Sequence, residues 1–453
     1  MLELVHVRNA SMLLSHGREG LRRDAIEILD YALTQVSPYV ACRKQVRLVN
    51  NVLTIGEASL SLPAASRAWF FGVGKASLEI ARAVEEIFGD RLEGGLVVCK
   101  EGQTGRLDHI DIMHASHPIP SEASVEAAKE MIRRVAEPVA GDVVIFGITG
   151  GSSALMTLPC DGLRLSDAQC VTETLLTCGA DIFEINAVRK HLSKVGGGRL
   201  ALHLNPEALL VNLTVSDVIG DALDYITDPT VPDTSTLADA RATFDKFDLW
   251  TRVPERISAL LRDGGLAETP KHLPKPRRHD RVLLSSSAIC EAARAKAEAL
   301  GYSTMILSSC FDGESQALGQ NFAALAREIV LRKRPLESPC AIIGGGETVV
   351  HMHEFAGSGG PNQEFALNGA RYLPAGRPAV LLGADSDGTD GPTEVAGALC
   401  DDTTVERAGL LGVDIAGALR RHDVTPALLR LEDAIITGAT GTNVNDLKLL
   451  LLA

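Results

Sequence analysis

Three sets of residues in this chain have the types and spacing to work on a phosphorylated or carboxylated ligand. The first centres on Lys75, in residues 70–77, FFGVGKAS, where an apolar run ends in Gly72 and Gly74. A Walker phosphate loop, G-x-x-x-x-G-K-[ST], is not met, because Ala76 follows the lysine and Trp69 holds the first glycine's place. A dinucleotide fingerprint, G-x-G-x-x-G, is not met either. Ser77 fills its third glycine position, and the next apolar run, GGLVVCK, ends in Lys100 rather than an acid.

The second set follows the run DVVIF. Gly150 and Gly151 lead into Ser152 and Ser153, whose N–H groups and hydroxyls suit a phosphate or carboxylate at a helix start. In INAVRKHLSKVGGGRLA, Asn186, Arg189 and Lys190 stand three or four residues apart, on one side of a helix. A cationic face ending in Gly196, Gly197 and Gly198 suggests anion binding; the alternative is a solvated face with a glycine cap. His191 reads as structural.

The third set is carboxylates at strand ends. LLVNLTV runs into Ser216 and Asp217, with Asp221 further on, and magnesium prefers one or two carboxylates plus waters and substrate phosphates. A plain Asp helix cap is the alternative. AIIGGGETVV reads as a strand entering a turn of Gly344, Gly345 and Gly346, followed by Glu347. GGPNQEFAL puts Asn362 at a helix start, and GADSDGTDG gathers Asp385, Asp387 and Asp390 after a strand. The last resembles half a calcium loop, but the missing twelfth-position glutamate argues against EF-hand binding.

These residues need a scaffold that brings strand ends together. Short Val/Ile/Leu/Phe runs alternate with helical patterns, which predicts α/β units with mostly parallel sheets flanked by helices. The expected strands are AWFFGV, GGLVVC, DVVIFGI, LLVNLTV, RVLLSS, STMILSS, PCAIIGG and PAVLLGA. Open α/β sheets bind ligands at their carboxyl ends, where the three sets lie. The 453 residues allow two lobes. The Pro- and Arg-rich stretch 268–280 marks a boundary region, and the expected division is 1–236 and 237–453, with the last ~30 residues free to pack back on the first lobe.

Bulk composition narrows the function. A net charge of −14 argues against nucleic-acid or membrane-surface partners, which want a basic face. Nine dispersed cysteines without a C-x-x-C pair suit reduced thiols and a cytoplasmic setting. No apolar stretch reaches the ~18 residues of a spanning helix, and the N-terminal residues show no signal-peptide pattern. The size is compatible with a homodimer.

Taken in order, FGVGKAS, SHPIPSEAS, GITGGSSAL, INAVRKHLS, SDVIGD, PTVPD, GGGET, GGPNQEFAL, GADSDGTDGPT and TGTNVNDL resemble the type-2 glycerate kinase family, from Phe70 nearly to the C-terminus. The resemblance implies two α/β lobes with the active site between them, the second called MOFRL. It also implies ATP-dependent phosphorylation of D-glycerate, normally at the 2-hydroxyl, with Mg²⁺. The family's phosphoryl-transfer lysine falls on Lys75. On that basis Arg189, with Ser152, Ser153 and Asn186, is expected to bind the substrate. Asp217 and Asp387 are expected to act in catalysis. Asp217, Asp385 and Asp390 are expected to hold the metal, and Gly344, Gly345, Gly346, Glu347 and Asn362 to face the nucleotide.

Three departures bear on the substrate. Pro361 stands where many members carry an arginine, Asp228 where glycine is usual, and Gly196 where lysine is usual. Two fewer cations and one more acid leave room for another small hydroxy acid. A nicotinamide-dependent hydroxypyruvate reductase would use Gly72 and Gly74 but leaves Lys75, Ser77 and the carboxylates unused. A sugar-acid sensor without activity is a further alternative.

Overall fold

The computed structural model describes residues 4–226, 228–262, 264–273, 277–351 and 357–453. The chain packs as two compact units. One is residues 38–283. The other joins residues 1–37 to residues 284–453.

Unit 38–283 begins with a small antiparallel meander, β1 (Val46–Val49), β2 (Val52–Ile55) and β3 (Ala58–Ser61). Its main sheet contains β4 (Ala68–Val73), β5 (Leu92–Lys100), β6 (Asp111–Ala115), β7 (Val143–Ile148), β8 (Leu209–Val215) and β9 (Arg278–Leu284), in the order β6-β5-β4-β7-β8-β9. The pairs from β6 through β8 are all parallel. β4, β7 and β8 are buried along their whole length, as strands covered on both faces must be. Phe71, Phe146, Leu96 and Met131 pack in one core of the sheet. A separate apolar cluster, with Leu175, Val188, Phe244 and Ile257, joins the helices Leu165–Thr177, Ile182–His191, Leu237–Lys246 and Glu255–Arg262.

The second unit has a six-stranded sheet of β10 (Ser303–Phe311), β11 (Cys340–Gly346), β12 (Ala379–Asp385), β13 (Gly397–Asp401), β14 (Ala434–Ile435) and β15 (Asp446–Leu452), in the order β10-β11-β15-β12-β13-β14. β10 and β11 are parallel, and β15 runs antiparallel between β11 and β12. β11 and β12 therefore point the same way, and their carboxyl ends flank the first residue of β15. β13 opposes β12, and β14 opposes β13. The core here is Phe322, Phe365, Leu381 and Leu450 with their neighbours.

The α/β class, the helix-flanked sheets and the parallel main sheet of the first unit match the sequence reading, and all eight expected strands are present. In the second unit's sheet β10 and β11 pair in parallel, and the other described pairs are antiparallel. Packing divides the chain elsewhere than at 236/237. Residues 237–262 supply Phe244, Ile257 and Leu261 to the helical cluster of the first unit. The helix Glu19–Gln35 packs on the helix Ser286–Ala299 and on β12 and β15. The last strand does not return to the first lobe. β15 is entirely buried at the centre of its own unit's sheet, because six of its seven positions are apolar or an aliphatic-stemmed lysine.

Candidate active site

In unit 38–283 the ends of β4, β6, β7 and β8 form one edge, and four sequence-predicted residues meet there around Gly150 and Gly151. The backbone of Lys75 is pinned twice: its N–H donates to Gly150 O (2.9 Å), and its carbonyl accepts from Gln103 Nε2 (2.6 Å). Gly74 adopts φ +128°, where a Cβ would stand 2.2 Å from Thr149 Oγ1. That hydroxyl accepts the Ala76 N–H (3.0 Å). The GVGK turn thus clamps the end of β4 to the end of β7, which explains Gly74 without any nucleotide.

The Gly-Gly pair is smaller still for a reason. A Cβ on Gly150 would lie 1.9 Å from Asp217 Oδ2, so the carboxylate at the end of β8 rests on this turn. A Cβ on Gly151, at φ +86°, would lie 2.8 Å from His117 Cδ2, 3.0 Å from His117 Nε2 and 3.5 Å from Lys75 Cγ. An ammonium-bearing stem, a carboxylate and an imidazole therefore surround two consecutive glycines. His117 lies within the SHPIPSEAS motif and went unassigned in the sequence; its place after β6 becomes informative only once β6 is known to be a strand.

Ser152 and Ser153 open a helix of only four residues, Ser152–Leu155, so its dipole is small. The helix Ile182–His191 is set by a capping box between Asp181 and Glu184 and buries Ile185 and Val188. Its other side carries Asn186 and Arg189, and Arg189 Nη2 donates to Ser153 Oγ (2.8 Å). Ser152, Ser153, Asn186 and Arg189 all line one solvent-open pocket, whose wall also includes Gly196 and Pro229. The side chain of Asp228 lies outside the described residues.

Lys190 and His191 do not form the solvated cationic face that the spacing allowed. Lys190 Nζ donates to Asp233 Oδ1 (3.0 Å) and reaches Asp224 Oδ2 (3.5 Å), and both Lys190 and Asp233 are buried. His191 is fully buried between Ala187 O and Glu268. Burial works against ionisation of Glu268, yet bonds from His191, the Leu237 and Thr269 N–H groups and Lys271 hold its carboxyl down at about 2.

In the other unit the carboxylates gather where β11 and β12 end. Asp385 and Gly346 both pair in register with Asp446, the first residue of β15. Asp387 N–H donates to Asp385 Oδ1 (2.9 Å), and Asp387 Oδ1 accepts from Thr389 N (2.9 Å) and Oγ1 (2.7 Å). Loss of water, then the charges of Asp387 and Asp446, push Asp385 well above the usual carboxylate range.

Asp390 has a different job from the metal ligation expected of it. Its carboxylate accepts Asn362 N (3.0 Å), Asn362 Nδ2 (3.0 Å), Gln363 N (2.9 Å) and Gln363 Nε2 (3.1 Å). It caps the helix Pro361–Ala370, whose first residue, Pro361, needs no N–H there. Burial pushes Asp390 up to about 6. Asn362, expected at a nucleotide, is buried between Asp390 and Asp446 Oδ1 (2.6 Å) and accepts from the buried Lys448. Asp446 and Lys448 were not picked out from the sequence, although their i, i+2 spacing puts both on one face of an otherwise aliphatic strand.

The triple glycine is strand and not turn: Gly344, Gly345 and Gly346 close β11. A Cβ on Gly344 would meet Phe311 at 2.7 Å, and one on Gly345 would meet Cys290 Sγ and Ser286 Oγ at 2.6 Å. Glu347 follows them, exposed, with its N–H on Phe311 O (2.8 Å). Among the described residues no three His, Cys, Asp or Glu side chains converge as a metal cage, a set magnesium does not require.

A two-unit α/β scaffold with a lysine, carboxylates and an Arg189-lined pocket has the residue types that phosphoryl transfer uses. Comparison with known proteins gives the particular family. A model described as "Domain of unknown function (DUF4147)" matches residues 24–262, and the MOFRL family matches residues 340–446. The chain is 35% identical to the glycerate 2-kinase of Pyrococcus horikoshii over 94% of its own length and 96% of that protein's. It is 37% identical to the D-glycerate 2-kinase of Thermotoga maritima, covering 95% of this chain and 98% of that one. A crystal structure of glycerate kinase from Thermotoga maritima superposes with a TM-score of 0.83 at 35% identity, over 96% of this chain and 100% of that chain. The chain belongs to the glycerate kinase family.

Proposed function

We propose that this protein transfers the terminal phosphoryl of ATP to the 2-hydroxyl of D-glycerate, giving 2-phosphoglycerate, with Mg²⁺. The observation that carries the reading is the meeting of Lys75 and Asp217 on the Gly150–Gly151 turn, next to Ser152, Ser153 and the Arg189 pocket. The relatives named glycerate 2-kinase support it.

In this reading Arg189 and Asn186 hold the acceptor's carboxylate, for which a planar guanidinium is suited. Asp217 orients the hydroxyl that attacks phosphorus. Lys75 balances the charge that grows on the phosphoryl oxygens. The donor chemistry of Asp385 and Asp387, two carboxylates crowded by Asp446, fits Mg²⁺, which would neutralise nucleotide phosphates there. Asp390 and Asn362 support that loop from beneath. The enzyme is proposed to act in the cytoplasm on a small molecule; no helix among the described residues is long and apolar enough to cross a membrane. A homodimer is compatible with the size.

ADP release measured over a panel of glycerate, tartronate and four-carbon aldonates tests the assignment. Strong turnover of another acid over glycerate would move the substrate, in keeping with Pro361, Gly196 and Asp228. Oxidation of NADH by hydroxypyruvate without any ADP release would replace the kinase with the reductase.

The Gly-Gly turn makes a further prediction. In Gly150→Ala the new methyl must displace the Asp217 carboxylate, since the two would stand 1.9 Å apart. A shift of about 1 Å in an orienting group costs on the order of 10²-fold in rate. Steady-state ADP release should show that loss in kcat with thermal stability little changed.

A further inference from the structure

The run RVLLSSSAIC ends β9 and opens the helix Ser286–Ala299, fourteen residues long, with three consecutive serines at its start. Serine at a helix start normally caps it, its hydroxyl accepting an N–H of the first turn. Here Ser285 holds the cap position, in extended geometry, but its side chain makes no cap bond. Ser286 is 93% buried (7% exposed), and among the described residues its hydroxyl has no hydrogen-bond partner. A buried hydroxyl without a partner is costly and calls for a reason.

The second half of the reason is what the hydroxyl faces. Ser286 Oγ lies 2.6 Å from where a Cβ of Gly345 would be, so it points at the bare end of β11. Gly346 follows at φ +121°, and Asp446 O lies on the same side. The helix start, whose Ala288 N–H already donates to Ser285 O (2.9 Å), the orphaned hydroxyl and the side-chain-free strand end therefore meet. Their meeting point adjoins the row of Gly346, Asp446 and Asp385 at the sheet's edge.

We infer that the first turn of the helix Ser286–Ala299, with the end of β11, is a binding site for phosphoryl oxyanions. N–H groups at a helix start favour such ligands through the helix dipole as well as by hydrogen bonding. The site rests on the proposed kinase reading, in which it takes the polyphosphate tail of the nucleotide. The phosphorylated acid product carries the same chemistry, and the experiment separates the two. The nearby Asp385, Asp387 and Glu347 imply that the tail binds with Mg²⁺ and that bare phosphate binds weakly.

Two substitutions test it on the full chain. Ser286→Ala removes a buried hydroxyl that bonds nothing, so Tm should hold or rise, while the Kd for Mg·ADP should rise at least 10-fold. Ser285→Asp should cap the helix and raise Tm, yet repel phosphate and weaken Mg·ADP at least as much. Adenosine, which has no phosphate, should bind both variants as it binds the wild type. Titration calorimetry and a thermal melt read all of these. If 2-phosphoglycerate loses affinity and Mg·ADP does not, the site belongs to the product and the nucleotide assignment is overturned. If both phosphorylated ligands bind the variants as they bind the wild type, or if Ser286→Ala lowers Tm, the serines are structural and the inference falls. Wild-type protein that binds no nucleotide at all and releases no ADP would overturn the parent kinase reading, and this site with it.

Discussion

Lys75→Ala is expected to lower kcat by ~10²–10³, about 2.7–4 kcal/mol of lost transition-state stabilisation, the usual cost of one preorganised charge contact. The geometry supports an effect on rate rather than on folding. The backbone of Lys75 is fixed by Gly150 O and Gln103 Nε2, so the turn keeps its bonds when the side chain is cut away. The side chain is half-buried, and its stem passes 3.5 Å from the Cβ position of Gly151. A contact made to charge that appears only in the transition state acts on kcat, not on KM alone. Lys75→Arg should recover only part of the loss, since a planar fork does not replace a compact ammonium at one oxygen. Steady-state ADP release beside a thermal melt decides the matter. A kcat within a fewfold of wild type, or a Tm loss that accounts for the activity loss, would remove Lys75 from the mechanism.

How much of this was legible in the sequence depends on whether a residue's neighbours are local. The strands AWFFGV, DVVIFGI and LLVNLTV were readable because burial on both faces leaves continuous apolar runs. Lys75, Ser152, Ser153, Asn186, Arg189 and Asp217 were readable as strand-end or helix-face residues, and all six lie at the Gly-Gly turn or in the pocket beside it. Partnership over distance was not readable. Asp390 looks like a metal ligand among its neighbours 385–390, but its donors come from Asn362 and Gln363, on a helix that precedes it. Gly344 and Gly345 look like a turn, but they are strand residues thinned to admit Phe311, Cys290 and Ser286. The expected domain boundary failed for the same reason. The pairing of the helix Glu19–Gln35 with β12 and β15 joins residues hundreds of positions apart, and no composition change marks it.

The buried cation of the first unit leads to the largest expected effect on stability. Lys190 Nζ is held by Asp233 and Asp224 and lies 4.3 Å from the centroid of the Tyr225 ring. Asp233 also accepts Ser235 N (3.0 Å), Ser235 Oγ (2.9 Å) and Thr269 Oγ1 (2.8 Å). Lys190→Met keeps the aliphatic stem but leaves buried Asp233 with only the more distant Lys271 Nζ, 4.0 Å from its Oδ2, as a cation. Breaking such a pair from one side costs ~3–5 kcal/mol. For a unit of this size that lowers the melting temperature of its transition by roughly 10 °C. The pH dependence gives a sharper test. Burial alone would raise the Asp233 pKa, but Lys190, then Thr269 and the Ser235 N–H, hold it below the usual 3.8. A depressed folded-state pKa stabilises above the unfolded value and is lost as pH falls through the folded one. The wild type should therefore lose this contribution below about pH 4. In Lys190→Met the largest of the lowering causes is gone, so the Asp233 pKa moves up and the variant recovers less stability than the wild type as pH rises. Melts run from pH 3 to pH 7 should show the gap between wild type and variant widening with pH. A gap that stays constant across that range would mean that Lys190 serves through its stem alone and that Asp233 is not its electrostatic partner.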